Sequence, residues 1–198
     1  MKYHPQIFNE NYDYFICLDS DLFWNYEGTV FLDRIKNCIG FTFNEGKIHE
    51  SYYYHTISWD RFDILKHQNK FAVNSALFGL PKDIAIELSV FFQQKINVYE
   101  DNVAKVNEKN YLITQGQYEQ SVFNEFVFCK NYYDKLLMLN DAVVGVYNID
   151  EALTFKKENN KIYHLMSFNS GNSKSKFLKL LYTNDNPCIK NNKICIAR

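Results

Sequence analysis

The stretch that decides the fold begins Leu136-Leu137-Met138-Leu139, Asn140-Asp141, Val143-Val144-Gly145-Val146-Tyr147 and runs on to Leu181. Two short apolar runs flank a polar pair, and the short side chains of Asn and Asp favour a turn there. A polar hairpin comes next. Ser167-Phe168-Asn169-Ser170 then leads into an amphipathic segment ending Phe177-Leu178-Lys179-Leu180-Leu181. Strands closed by a helix, without regular strand–helix alternation elsewhere, predict an α+β fold. The expected architecture is a single domain over 1–198 with a central antiparallel sheet over parts of 111–166, flanked by helices.

Outward from this stretch the signals thin. Tyr14 to Leu18 is a short apolar run and reads as a strand. Apolar positions at 31, 32, 35 and 39 predict a short helix over Val30–Ile39, stopped by Gly40. Phe41–Phe43, Asn44-Glu45-Gly46 and Ile48–Ile57 read as a hairpin, and Trp59 to Lys66 as a helical turn. Pro81 and Asp83 open a helix near 83–95, with Ile84, Leu88, Phe91 and Phe92 inward. Tyr111 to Met166 reads mostly as strands and hairpins, and Lys174 to Tyr182 as the last helix. Residues 1–70 form an N-terminal elaboration and 183–198 an extended tail.

Composition bounds the function. A hydrophobic content of 46% with 23% charged residues supports a packed core and excludes disorder for the bulk of the chain. The 15 Tyr and 17 Phe exceed ordinary usage, and Tyr tolerates a half-wet interface. Net charge is −1 but uneven. Residues 156–198 carry nine bases against two acids, and the rest carries thirteen bases against twenty-one acids, a net of −8. An acidic body suits a protein that covers a basic partner and argues against a general nucleic-acid binder. The five cysteines show no CxxC spacing. Cys17, Cys38 and Cys129 sit among apolar residues and read as buried thiols, and Cys188 and Cys195 could pair or bind metal, but their spacing lacks zinc-site form. A reduced, cytoplasmic setting is expected, with no secretory signal after Met1 and no membrane-spanning run.

The chemical motifs are few. Asp19-Ser20-Asp21 follows the first apolar run, and two carboxylates at i and i+2 can share a divalent cation or act as nucleophile and acid/base. The pair resembles those of haloacid-dehalogenase-type phosphatases and some glycosyltransferases. It departs from the first because Leu22-Phe23-Trp24 stands where a Thr is wanted, and from the second because only eighteen residues precede it. Such a metal-dependent enzyme is the alternative reading; otherwise the pair caps a turn or a helix. His49 and His55 share a strand face without an evident third ligand. No phosphate loop occurs. The residues therefore predict no catalytic set, no metal and no cofactor. Ser51-Tyr52-Tyr53-Tyr54-His55 must present at least one Tyr outward if it is a strand, near Trp59 and Asp60. Tyr53, Trp59 and Asp60 are the expected partner-binding residues.

Over roughly residues 76–181 the chain resembles the SUKH superfamily of bacterial toxin-immunity proteins. The matching pieces, in order, are Leu77-Phe78-Gly79-Leu80-Pro81 with the helix after it, Tyr111-Leu112-Ile113, Leu136–Leu139, Val143–Tyr147, Phe168-Asn169-Ser170, and Phe177-Leu178 with Leu181. The resemblance implies a protein without catalytic residues that binds and blocks a cognate toxin domain, a nuclease or deaminase in many members. Residues 1–70 have no counterpart in it, and 182–198 run past its usual end.

Overall fold

The computed structural model describes residues 11–19, 21–48, 66–67, 69–107, 115–146 and 158–165, with backbone alone for 96–107 and 115–118. The strands are β1 (Tyr14–Leu18), β2 (Leu22–Asn25), β3 (Gly40–Thr42), β4 (Asn44–Lys47), β5 (Phe71–Val73), β6 (Leu77–Pro81), β7 (Leu136–Met138), β8 (Val143–Val146) and β9 (Lys161–Leu165). The helices are α1 (Gly28–Ile35), α2 (Lys82–Asn107) and α3 (Gln115–Cys129). The class is α+β, as expected. The chain divides into two compact units, one of residues 1–19 and 37–139 and one of 20–36 and 140–198.

In the first unit a four-stranded sheet runs β1-β6-β3-β7. β1 and β3 lie antiparallel to β6, and β7 joins β3 in parallel. The two-residue side-chain period sorts its faces. Phe15, Cys17, Phe78, Leu80, Leu136 and Met138 point to one side. There they meet Ile84, Ala85, Leu88 and Phe92 of α2 and Val122, Phe123, Phe126 and Val127 of α3 in one core. Phe41 lies on the other face, paired with Gly79, and a Cβ on Gly79 would stand 2.1 Å from the Phe41 ring. Only glycine leaves room for that ring. A second ribbon pairs β4 with β5.

Helix α3 explains much of the packing. Residues 120–128 are all buried, so its polar members need partners inside the protein. Glu125 forms an ion pair with Lys95 of α2. At the far end Asn131 takes the left-handed conformation, with φ of 56°, and the Tyr132 amide donates to Val127 O. This is a standard way to close a helix.

In the second unit the sheet order is β2-β9-β8, antiparallel then parallel. Phe31 and Ile35 form the buried side of α1, and the Phe31 ring meets Trp24 edge-on at 4.6 Å. The buried Tyr163 hydroxyl accepts from the Glu158 amide and donates to the Glu158 carbonyl. The turn at Asn140-Asp141 is clamped: the Asp141 carboxylate pairs with Arg34, and its carbonyl accepts from Lys161 Nζ at 2.6 Å.

Several expectations are corrected. Residues 115–129 form a helix, so strands within 111–166 are confined, among the described residues, to β7, β8 and β9. The main sheet instead draws on 14–18, 40–42, 77–81 and 136–138, and each of the two larger sheets has a parallel edge pair. β7 and β8 flank the expected turn but join different sheets. Asn44-Glu45-Gly46 is strand rather than turn, because β4 finds its partner in β5. Gly40 does not stop α1, which ends at Ile35. Gly40 opens β3, where a Cβ would stand 2.7 Å from Gly79 O. Cys129 ends α3 exposed, and Cys17 and Cys38 are half-buried. The strand at Tyr14–Leu18 and the start of α2 agree with the sequence reading. The Trp59–Lys66 turn apart from Lys66, residues 49–57, the helix at 174–182, the tail, Cys188 and Cys195 lie outside the described residues.

Candidate functional site

The Asp19–Asp21 pair is resolved into two separate roles. The Asp19 amide donates to Ala76 O at 2.8 Å, which extends the β1–β6 ladder by one rung. The Asp21 carbonyl accepts from the Leu165 amide at 2.9 Å, and its carboxylate lies 3.8 Å from Nε2 of the buried His164. Asp19 belongs to the first unit and Asp21 to the second. Among the described residues no three His, Cys, Asp or Glu gather around a common point that could hold a metal ion. His49 and His55 lie outside the described residues.

Among the described residues, a dense polar cluster sits between β5 and α3. Asn124 accepts from the Val73 amide and donates to the Val73 carbonyl, both at 2.8 Å. Gln120 Oε1 accepts from the Ser75 amide and hydroxyl. The Phe71 backbone hydrogen-bonds the Tyr133 hydroxyl. Phe71 and Val73 turn the same way along β5, and Ser75 follows in the bend before β6. Side chains of α3 and the turn after it thus take the place of a neighbouring strand. The Glu45 carboxylate accepts from Asn74 Nδ2 at 2.5 Å and Gln120 Nε2 at 2.6 Å. The Thr42 hydroxyl donates to Asn74 O. Each of these groups is held by another within the cluster, which makes it a scaffold.

Beside that scaffold stands an aromatic ledge. The His67, Phe128 and Tyr133 rings stack at centroid distances of 4.7 and 4.6 Å, with Lys70 Nζ 4.7 Å from the Tyr133 centroid. Burial pushes the Tyr133 hydroxyl above its ordinary range. The Ile48 amide donates to Lys70 O at 2.9 Å, and residues 49–65 lie outside the described residues. Tyr53, Trp59 and Asp60 belong to that segment and lie outside the described residues. The ledge is not acidic: Lys70 pairs with Asp134, and the exposed Phe71 faces Lys47 across the ribbon.

The acidic and apolar combination appears instead on α2. Its inward stripe is Ile84, Ala85, Leu88 and Phe92. Its outward side carries Asp83, Ile86, Val90 and Gln94, with Ile86 and Val90 39% and 51% exposed. Along its flank, Glu87 pairs with Lys130 at 2.7 Å and accepts from the Tyr132 hydroxyl at 2.8 Å. The Lys130 ammonium, followed by Tyr132, holds the Glu87 carboxyl below its usual range. Burial first, and then Glu87, push Tyr132 up to about 12.

The sequence reading missed this face and the Gln120–Asn124 pair, and both left a signal. Ile86 and Val90 are apolar residues outside the stripe their own helix obeys. Gln120 and Asn124 are amides four apart among Val122, Phe123, Phe126 and Val127, whose spacing is helical. Neither a family model nor a curated protein matches the sequence. Among the described residues no helix is long and apolar enough to cross a membrane.

Proposed function

We propose that this chain is an immunity protein, which binds a cognate bacterial toxin domain in the cytoplasm and blocks it; the toxin is a nuclease or a deaminase. The observation that carries the reading is the outward side of α2, where Ile86 and Val90 stand exposed in line with Asp83. Apolar side chains beside an acid, on a helix already anchored by its other side, fit a contact with a basic partner. The net charge of −8 over residues 1–155 supports the same partner, since a nuclease presents a basic cleft to its substrate. The SUKH-like order of segments supports it too. The chain has Gly79-Leu80-Pro81 closing a strand into a long helix, then short strands at 136–138 and 143–146. Tyr53, Trp59 and Asp60 remain proposed contact residues.

The test is co-expression. The toxin domain encoded beside this gene is produced with and without the chain, and growth is scored. Protection, together with association of the purified proteins, is the expected result. Ile86→Lys with Val90→Lys should weaken association while the circular-dichroism spectrum stays unchanged. No protection and no association would overturn the reading. The rival, a metal-dependent enzyme using Asp19 and Asp21, gains if purified chain turns over a phosphoester or nucleotide sugar with magnesium or manganese and loses that turnover in Asp19→Asn.

A further inference from the structure

β1 is an edge strand of the four-stranded sheet, and its backbone parity is fixed by two hydrogen bonds. Asp13 O accepts from the Lys82 amide and the Asp19 amide donates to Ala76 O, so the odd-numbered residues bond to β6. The amides and carbonyls of Tyr14, Ile16 and Leu18 therefore point away from β6, and no described strand pairs with them. The side chains alternate likewise. Phe15 and Cys17 pack into the core, Tyr14 stacks on Phe41, and Ile16 and Leu18 are 41% and 43% exposed. Edge strands are ordinarily blunted by a charge, a proline or a bulge. The run Tyr14-Phe15-Ile16-Cys17-Leu18 has none of these.

The charges stand at its two ends, Asp13 and Asp19, and they select the occupant. A second copy would pair its whole apolar run antiparallel about Ile16, which sets Asp13 of each copy opposite Asp19 of the other. Parallel in-register pairing sets each Asp opposite itself. Like charges facing across a strand pair are destabilising. Self-pairing is thus penalised in both orientations, and a strand with cationic ends is favoured.

We propose that β1 is a docking edge for an extended segment of a partner protein, which adds to the sheet as a fifth strand and carries alternating apolar residues with Lys or Arg at both ends. Backbone hydrogen bonds to Tyr14, Ile16 and Leu18 provide the attachment, and the two aspartates provide the selection. The inference rests on the immunity reading only for the partner's identity.

The probe is a fluorescein-labelled peptide, Lys-Lys-Val-Thr-Val-Thr-Val-Lys-Lys, compared with the same core ended by Glu. Fluorescence anisotropy with the full chain should show the Lys-ended peptide binding about ten-fold or more tightly than the Glu-ended one. Ile16→Pro removes an outward amide without touching the β6 ladder and should weaken binding by about ten-fold or more. Ile16→Lys, a charge on the edge, should do the same if the proline variant fails to fold. Asp13→Lys with Asp19→Lys should reverse the preference. Equal binding of both peptides, binding by neither, unchanged binding by a folded edge variant, or a wild-type dimer lost in that variant would each overturn the proposal. Protection assays separate the two claims. Full toxin protection by folded Ile16→Lys overturns the docking edge as the toxin contact and leaves immunity standing. Charge-selective peptide binding by a wild-type chain that protects against nothing leaves the edge standing and removes the immunity reading.

Discussion

Phe41 and Gly79 face each other across two strands, and neither tolerates a change in size. Gly79→Ala would place a methyl 2.1 Å from the Phe41 ring, so β6 or the ring must move. We expect a loss of about 1–3 kcal/mol, read from the midpoint of urea denaturation, with part of it restored by Phe41→Leu in the same chain. Glu125 poses the opposite problem. Its side chain is nearly buried and its counter-ion is Lys95. Lys95→Met removes the counter-ion of a carboxylate in the interior and should cost about 3–5 kcal/mol, whereas converting both members to apolar residues of similar size should cost far less. If the single and double variants lose the same stability, the pair carries no such weight.

At the scale of elements, legibility followed how local the determining forces are. Tyr14–Leu18 was legible because a short apolar run between polar residues is a local signal, and the strand has those same ends. The start of α2 was legible from Pro81 and Asp83, which act within one turn. Asn44-Glu45-Gly46 was misread because its composition favours a turn, while its strand state depends on β5, which lies beyond a long intervening segment. α3 was misread because its amides and aromatics resemble strand composition. Its helical state is decided by burial on all sides and by what Gln120 and Asn124 reach. Of the candidate site, the DxD pair was legible as a motif and illegible as a geometry, since its two residues end different ladders. Ile86 and Val90 were passed over because an isolated exposed apolar residue is ordinary. Asn124→Leu keeps α3 helical but removes both bonds to Val73, leaving a buried amide and carbonyl without partners. A loss of about 2–4 kcal/mol with an unchanged far-ultraviolet spectrum is expected.

For the whole molecule, charge sets the response to acid. Lys130 holds Glu87 low in the first unit, and Arg34 holds Asp141 low in the second. A carboxyl that ionises more readily folded than unfolded adds stability at neutral pH. That contribution is complete above the ordinary values of 4.5 and 3.8 and is lost as pH falls from there through the lowered folded values. Melting temperature should therefore fall on acidification across that window, and Lys130→Met should flatten the upper part of the fall. The side chains that stand in for a strand beside β5 carry a different consequence. The Val73 amide is satisfied by a residue 51 positions away, and the Ser75 amide by one 45 away. Neither proton can be protected by forming the β4–β5 ribbon alone. In deuterated solvent the amides of Val73 and Ser75 should exchange at the rate at which α3 leaves its seat, so one proton in a strand and one in the bend after it become clocks for the undocking of a helix.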